Sequence, residues 1–231
     1  NYKDSRRVMF FNRNKYPFET KIRHHVSAYN YLPKSVLQNI PDNYPPLYDK
    51  IDWSELFLSG DAPQMMDIGC GKGLFLLQYA YENPEINCLG IEVREYPVEW
   101  IKNVAECEGL KNCNALRYSV ANGLDFIENE SINDIFYLFP DPWPKRKHEK
   151  RRAFNLLFIN EVYNKLKPGA NLWLATDVEE VREYQLQILN DFGKLDVVKL
   201  NSRDEWNFPF TNKENFCIEK NIDVYRYKCT K

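Results

Sequence analysis

Hydrophobic and polar positions change their rhythm at about residue 64. Beyond it, short apolar runs alternate with longer stretches at helical spacing. Met65, Met66 and Ile68 form a brief strand-like run interrupted by Asp67, and Leu74 to Tyr81 then reads as a helix. Strands are predicted over 87–93 (NCLGIEV), 113–119 (CNALRYS), 132–139 (INDIFYLF) and 171–176 (NLWLAT). Helices are predicted over 95–108, 152–167 and 178–192, with a short one around 123–128; Gly109 and Pro168-Gly169 serve as stop signals. Two further strand candidates, 195–200 and 222–229, surround a polar loop. Such alternation predicts an α/β fold: a mostly parallel, twisted sheet with helices on both faces and one late antiparallel strand.

The first sixty residues lack this order. Up to about residue 35, Arg6, Arg7, Arg13, Lys15, Lys21 and Arg23 are spread among aromatic residues without clean periodicity. That pattern suits either an arm that helps hold a nucleic acid or a solvated terminus. Prolines from Pro33 to Pro46 mark loops, and 48–58 has roughly helical spacing closed by Gly60-Asp61-Ala62-Pro63. The expected organisation is a basic arm with a leading helical segment over 1–60, followed by one α/β domain over 61–231.

Composition narrows the field. The 231 residues suffice for one large domain with an appendage, and 44% hydrophobic with 28% charged residues is globular composition. With a formal net charge of −2, any binding of an anionic polymer has to come from a local patch. None of the six cysteines forms a CxxC pair or has zinc-finger spacing, so reduced thiols and no metal are expected. The absence of a signal-like segment and of a membrane-length apolar run points to a cytoplasmic protein with no membrane partner. The sequence leaves the oligomeric state open, a monomer included.

Three stretches carry candidate chemistry. Gly69-Cys70-Gly71-Lys72-Gly73 stands between a strand and a helix, where glycines let backbone approach a ligand and helix N–H groups face it. Glu92, about twenty residues on, ends the second strand, where ribose hydroxyls are gripped in nucleotide-binding sheets; an ordinary strand-end charge is the alternative. The string FPDPWPKRKHEKRR, Phe139 to Arg152, sets Asp141 between two prolines, follows it with Trp143, and places six Lys or Arg among the eight residues 145–152. An acid on stiff chain, a stacking ring and a basic run together suit a polyanion that carries bases; a charged surface loop is the plainer reading. Asp177 ends the fifth strand. The carboxyl ends of parallel strands share one edge, so the glycine loop, Glu92, Asp141 and Asp177 are expected to converge there.

The strings DIGCGKG (67–73), GIEV (90–93), FPDPWPKRKHEKRR (139–152), ATD (175–177) and Thr211-Asn212-Lys213-Glu214 resemble the tRNA (guanine-N7-)-methyltransferase family over residues 64 to about 215. The resemblance implies a Rossmann-like class I methyltransferase fold. It also implies methyl transfer from S-adenosylmethionine to N7 of a guanosine in the tRNA variable loop. By the same resemblance Asp67, Gly69, Gly71, Glu92, Val120 and Ala121 would hold the cofactor. Asp141 and Asp177 would be the catalytic carboxylates, forming the guanine site with Lys145, Thr211 and Glu214, while Lys147, Lys150, Arg151 and Arg152 would contact RNA. One departure stands out: the family places Asp or Asn before Ala121, and here it is Val120, with Asn122 as the candidate substitute. Two other classes fit part of the pattern. A dinucleotide-dependent oxidoreductase would explain the glycines and Glu92 but not the Asp141 loop, and there is no second glycine-rich turn. A catalytically impaired RNA-binding protein on a methyltransferase scaffold is the other.

Overall fold

The computed structural model describes residues 9–18, 27–142 and 153–231. Four short strands and one long one build the first part of the sheet: β1 (Met65–Ile68), β2 (Cys88–Glu92), β3 (Cys113–Arg117), β4 (Ile132–Leu138) and β5 (Leu166–Thr176). Helices α1 (Leu74–Glu82), α2 (Glu95–Cys107), α3 (Leu156–Lys165) and α4 (Glu179–Phe192) intervene or follow. Then come β6 (Asp196–Leu200), α5 (Asn212–Glu219) and β7 (Tyr225–Thr230). The seven strands lie in the order β3-β2-β1-β4-β5-β7-β6. β1 pairs in parallel with β2 and β4, and β7 runs antiparallel to both β5 and β6. This is the mostly parallel sheet with one late antiparallel strand that the sequence predicts.

The strands show why. β1 and β2 are buried at every position, so their residues form continuous runs rather than an in–out alternation, as expected for strands covered on both faces. Neighbouring residues point to opposite cores. Met66, Ile135 and Leu172 face Phe158, Ile159 and Val162 of α3 and Leu189 of α4. Met65, Phe136 and Trp173 face Leu76 and Leu77 of α1 and Ile101 and Val104 of α2. Each such side chain, when fully buried, contributes roughly 1.5–3 kcal/mol of transfer free energy.

Several boundaries differ from the sequence reading. Residues 48–58 form no α-helix; only a 3₁₀ turn at Trp53–Glu55 is present, capped by Asp52, and Phe57 is buried directly in the core. There is no helix at 123–128 either. A 3₁₀ turn at Val120–Asn122 precedes Gly123, and Phe126 and Ile127 reach the core from irregular chain. α3 starts at Leu156 rather than 152, because the Asn155 side chain accepts from Phe158 N at 3.0 Å and so caps it. It ends at Lys165, before Pro168-Gly169, and β5 begins at once at Leu166. Pro168 is tolerated where the β4–β5 register shifts between Ile132 and Asp134. Finally, the polar loop between β6 and β7 contains α5, capped by Thr211.

The described part of the leading segment packs on the same cores. Phe11 and Tyr16 are buried beside Trp100 of α2. Residues 27–44 are tied to the chain after β3: Ser119 Oγ donates to the Asn30 carbonyl at 2.6 Å, and Lys34 N donates to Asn122 Oδ1 at 2.8 Å. Tyr44 closes the segment on itself by donating to the Leu32 carbonyl at 2.7 Å. Arg6, Arg7, Lys21 and Arg23 lie outside the described residues.

Candidate active site

The carboxyl ends of β1, β2, β4 and β5 open onto one cleft of about 1570 Å³. Its floor is the glycine loop. Gly73 has φ +65°, and a Cβ there would lie 2.4 Å from Ile101 Cγ1, so only glycine lets α1 start this close to α2. Gly69 has φ +77°, and no other atom lies within 4 Å of where its Cβ would stand.

Glu92, buried at the end of β2, locks the loop to the strand. Its Oε2 accepts from Gly71 N at 3.0 Å and from Arg94 Nη2 at 2.9 Å; its Oε1 accepts from Arg94 N at 3.1 Å and Nε at 2.9 Å. A carboxylate has roughly four acceptor positions, and all are in use. Asp67, in β1, is also buried. Burial, and secondarily the nearby Glu92 charge, push the Asp67 carboxyl up to about 8. The folded protein therefore keeps a proton that the unfolded chain has released at about pH 4, and stability from this group is lost as pH rises towards 8. Wild type should lose stability relative to Asp67→Asn by up to about 1.4 kcal/mol per pH unit in that window. Urea unfolding of both proteins at several pH values checks this; parallel curves would remove Asp67 as the titrating group.

Across the cleft, β4 runs into Phe139-Pro140-Asp141. Phe139 has φ +49°, a left-handed backbone that non-glycine residues seldom adopt, and its N–H donates to the Ala175 carbonyl at 2.7 Å. That kink turns Asp141 into the cleft, where its Oδ2 accepts from the Tyr31 hydroxyl at 2.9 Å. After β5, Asp177 Oδ2 lies 2.7 Å from Lys213 Nζ.

The cleft lining thus brings together Asp67, Gly69, Gly71, Glu92, Val120 and Ala121 on one side and Asp141, Asp177 and Thr211 on the other. Glu214 is not among them. Its carboxylate is 1% exposed and engages Arg203 Nε at 2.8 Å and Arg226, beneath α5. Asn122 does not replace the missing polar side chain at Val120: its amide donates to the Tyr44 hydroxyl at 2.8 Å and its oxygen holds Lys34 N, so it anchors the leading segment instead. Trp143, Lys145, Lys147, Lys150, Arg151 and Arg152 lie outside the described residues. Tyr31, Arg94 and Lys213 were not singled out as site residues from sequence. Arg94 follows the strand-end acid and Lys213 falls inside the Thr211–Glu214 string, but nothing around Tyr31 marks it. Among the described residues, no group of three His, Cys, Asp or Glu side chains could hold a metal, and no helix is long and apolar enough to cross a membrane.

Residues 61–227 match the family model Methyltransf_4, described as "Putative methyltransferase". A tRNA (guanine-N(7)-)-methyltransferase of Lactobacillus gasseri is 32% identical over 188 residues, covering 80% of this chain and 83% of that protein. This chain belongs to the tRNA (guanine-N7-)-methyltransferase family. A family member from Prochlorococcus marinus strain AS9601 is 32% identical over 214 residues, spanning 88% of this chain and 97% of the relative. Among solved structures, the 16S rRNA methyltransferase KamB superposes with a TM-score of 0.57 over 86% of this chain and 97% of its own, at 17% identity, and so shares the fold. Membership in this methyltransferase family removes the oxidoreductase reading of the glycine loop.

Proposed function

We propose that the protein transfers a methyl group from S-adenosylmethionine to N7 of a guanosine in the variable loop of tRNA, with the cytoplasm as its place of action. The observation that carries this reading is one cleft with two acidic ends, Glu92 with Asp67 on the glycine-loop side and Asp141 with Asp177 on the other. Its volume exceeds the roughly 300–1,000 Å³ of a site for one small ligand, leaving room for a donor and a nucleoside side by side.

The residues on the glycine-loop side fit the donor. Open space above Gly69, the loop backbone and the Glu92 carboxylate form a cradle with a hydroxyl acceptor at one end. Holding a ribose there requires the Arg94 guanidinium to give up at least one of its bonds to Glu92. Val120 and Ala121 offer an apolar wall and backbone groups to a flat base. When bound, S-adenosylmethionine supplies a methyl group made electrophilic by its sulfonium.

Guanine N7 carries an in-plane lone pair and no proton, so no residue has to act as a base. The work left to the protein is alignment and charge. Asp141 and Asp177 accept hydrogen bonds from the guanine N1–H and N2 amine, which selects guanine over adenine. They also favour the ring as it turns cationic. The basic run Lys145–Arg152 supplies phosphate contacts.

Unmodified tRNA incubated with protein and methyl donor should yield 7-methylguanosine on nucleoside mass analysis. Donor binding without that product would favour a non-catalytic RNA-binding scaffold. Replacing Lys147, Lys150 and Arg151 together by Ala should weaken tRNA binding and lower its log–log salt slope by up to about 3, since fewer counterions are released. An unchanged slope would make the run a solvated face.

A further inference from the structure

We propose that Tyr31 is the positioning residue of the acceptor site, its hydroxyl holding one oxygen of Asp141 so that the other faces the guanine. The proposal rests on the reading of Asp141 as part of that site.

Asp141 stands between Pro140 and Pro142, and neither neighbour has an N–H with which to fix its carboxylate. The left-handed Phe139 sets the direction of the chain but leaves the side-chain torsions free. Among the described residues, the group that donates to Asp141 is the Tyr31 hydroxyl, 2.9 Å from Oδ2. A carboxylate held at one oxygen presents the second in a defined direction, which is what recognition of a paired N1–H and N2–H edge needs.

Tyr31 is itself held on both sides. It ends the 3₁₀ turn Ala28–Tyr31. The carbonyl before it, of Asn30, accepts from Ser119 Oγ, and the carbonyl after it, of Leu32, accepts from the Tyr44 hydroxyl. Ser119 leads into Val120 and Ala121 on the donor side of the cleft. The 3₁₀ turn that carries Tyr31 thus ties the chain leading into Val120 and Ala121 to Asp141. Burial first, and then the Asp141 charge, hold the Tyr31 phenol well above its ordinary range, so it stays protonated and donates to Asp141.

The test is a double-mutant cycle of Tyr31→Phe and Asp141→Asn in full-length protein, read by single-turnover methylation of tRNA at saturating donor. S-adenosylhomocysteine affinity, KM for tRNA and melting temperature are measured alongside. Tyr31→Phe should slow the methyl-transfer step about tenfold, the scale of one hydrogen bond to a charged group. Donor affinity and KM should stay within about twofold, since the bond serves alignment rather than uniform binding. In the Asp141→Asn background, Tyr31→Phe should slow the step no further. A wild-type rate in Tyr31→Phe, with Asp141→Asn slow, overturns the proposal alone. An equal loss in both backgrounds also overturns it, because Tyr31 would then act through general structure. A wild-type rate in Asp141→Asn removes Asp141 from the site and the proposal with it. Failure of the wild type to form 7-methylguanosine overturns the proposed reaction itself.

Discussion

Exchange of Asp177 for Asn should slow single-turnover methylation by about 10²-fold or more while leaving the melting temperature close to that of the wild type. Asn keeps the shape and much of the hydrogen bonding of the side chain, and the ion pair to Lys213, a side chain 42% exposed, contributes little to stability. What is lost is the negative charge beside a ring that becomes cationic. The loss is sharpened by Lys213, whose ammonium lies 2.7 Å from Asp177 Oδ2. In wild type the two acids outweigh this cation; in Asp177→Asn only Asp141 is left to balance it. Adding Lys213→Gln to Asp177→Asn should therefore restore part of the rate by removing the stranded cation. Donor affinity should change far less than rate in both. A single-turnover rate within a few-fold of wild type for Asp177→Asn would move the chemistry away from this residue.

Glu214→Ala should act on the fold and not on the reaction, destabilising the protein by about 3–5 kcal/mol. The Glu214 carboxylate is buried under α5 and is shared by Arg203 and Arg226, whose side chains are 22% and 11% exposed. Truncation removes the buried carboxylate that both guanidinium groups share, which is more damaging than losing a surface pair. Glu214→Gln, which keeps the shape, should be milder. Equilibrium unfolding in urea measures both, and residual donor binding at low temperature shows whether the cleft survives. If Glu214→Ala melts like wild type yet loses tRNA binding, the residue serves the substrate, as the family resemblance implies.

The sheet was legible because strands covered on both faces announce themselves as short apolar runs, and β1, β2 and β4 are such runs. The acids of the cleft interrupt or end these runs, so the sequence alone places Asp67, Glu92, Asp141 and Asp177 on one edge. Helices were less legible where tertiary packing decided the matter. Residues 48–58 have helical spacing, but Trp53 packs on the core from a 3₁₀ turn and Phe57 is buried from the irregular chain just after it. α5 was hidden in polar sequence, although Thr211 followed by Glu214 at the third position is a capping-box spacing that marks a helix start. Tyr31 had no sequence signal at all, because its partner is more than a hundred residues away in the chain. Lys213 was visible only as part of a string, since a pairing between the turn after β5 and the first turn of α5 depends on how both are folded.

The order of strands in the sheet also governs when the protein becomes competent during synthesis. β1 pairs on one side with β2, which leaves the ribosome soon after it, and on the other with β4, which emerges only after β3 and α2. The glycine loop and Glu92, carried by β1 and β2, are thus brought together by short loop closure. The acceptor side waits for β4 and β5, and the Lys213 that pairs with Asp177 comes later still, just before β7 inserts between β5 and β6. Non-local pairings of this kind are the slow ones in folding. The glycine-loop side of the cleft is therefore complete in the chain well before the side that carries Asp141 and Asp177, which closes only with the last strands.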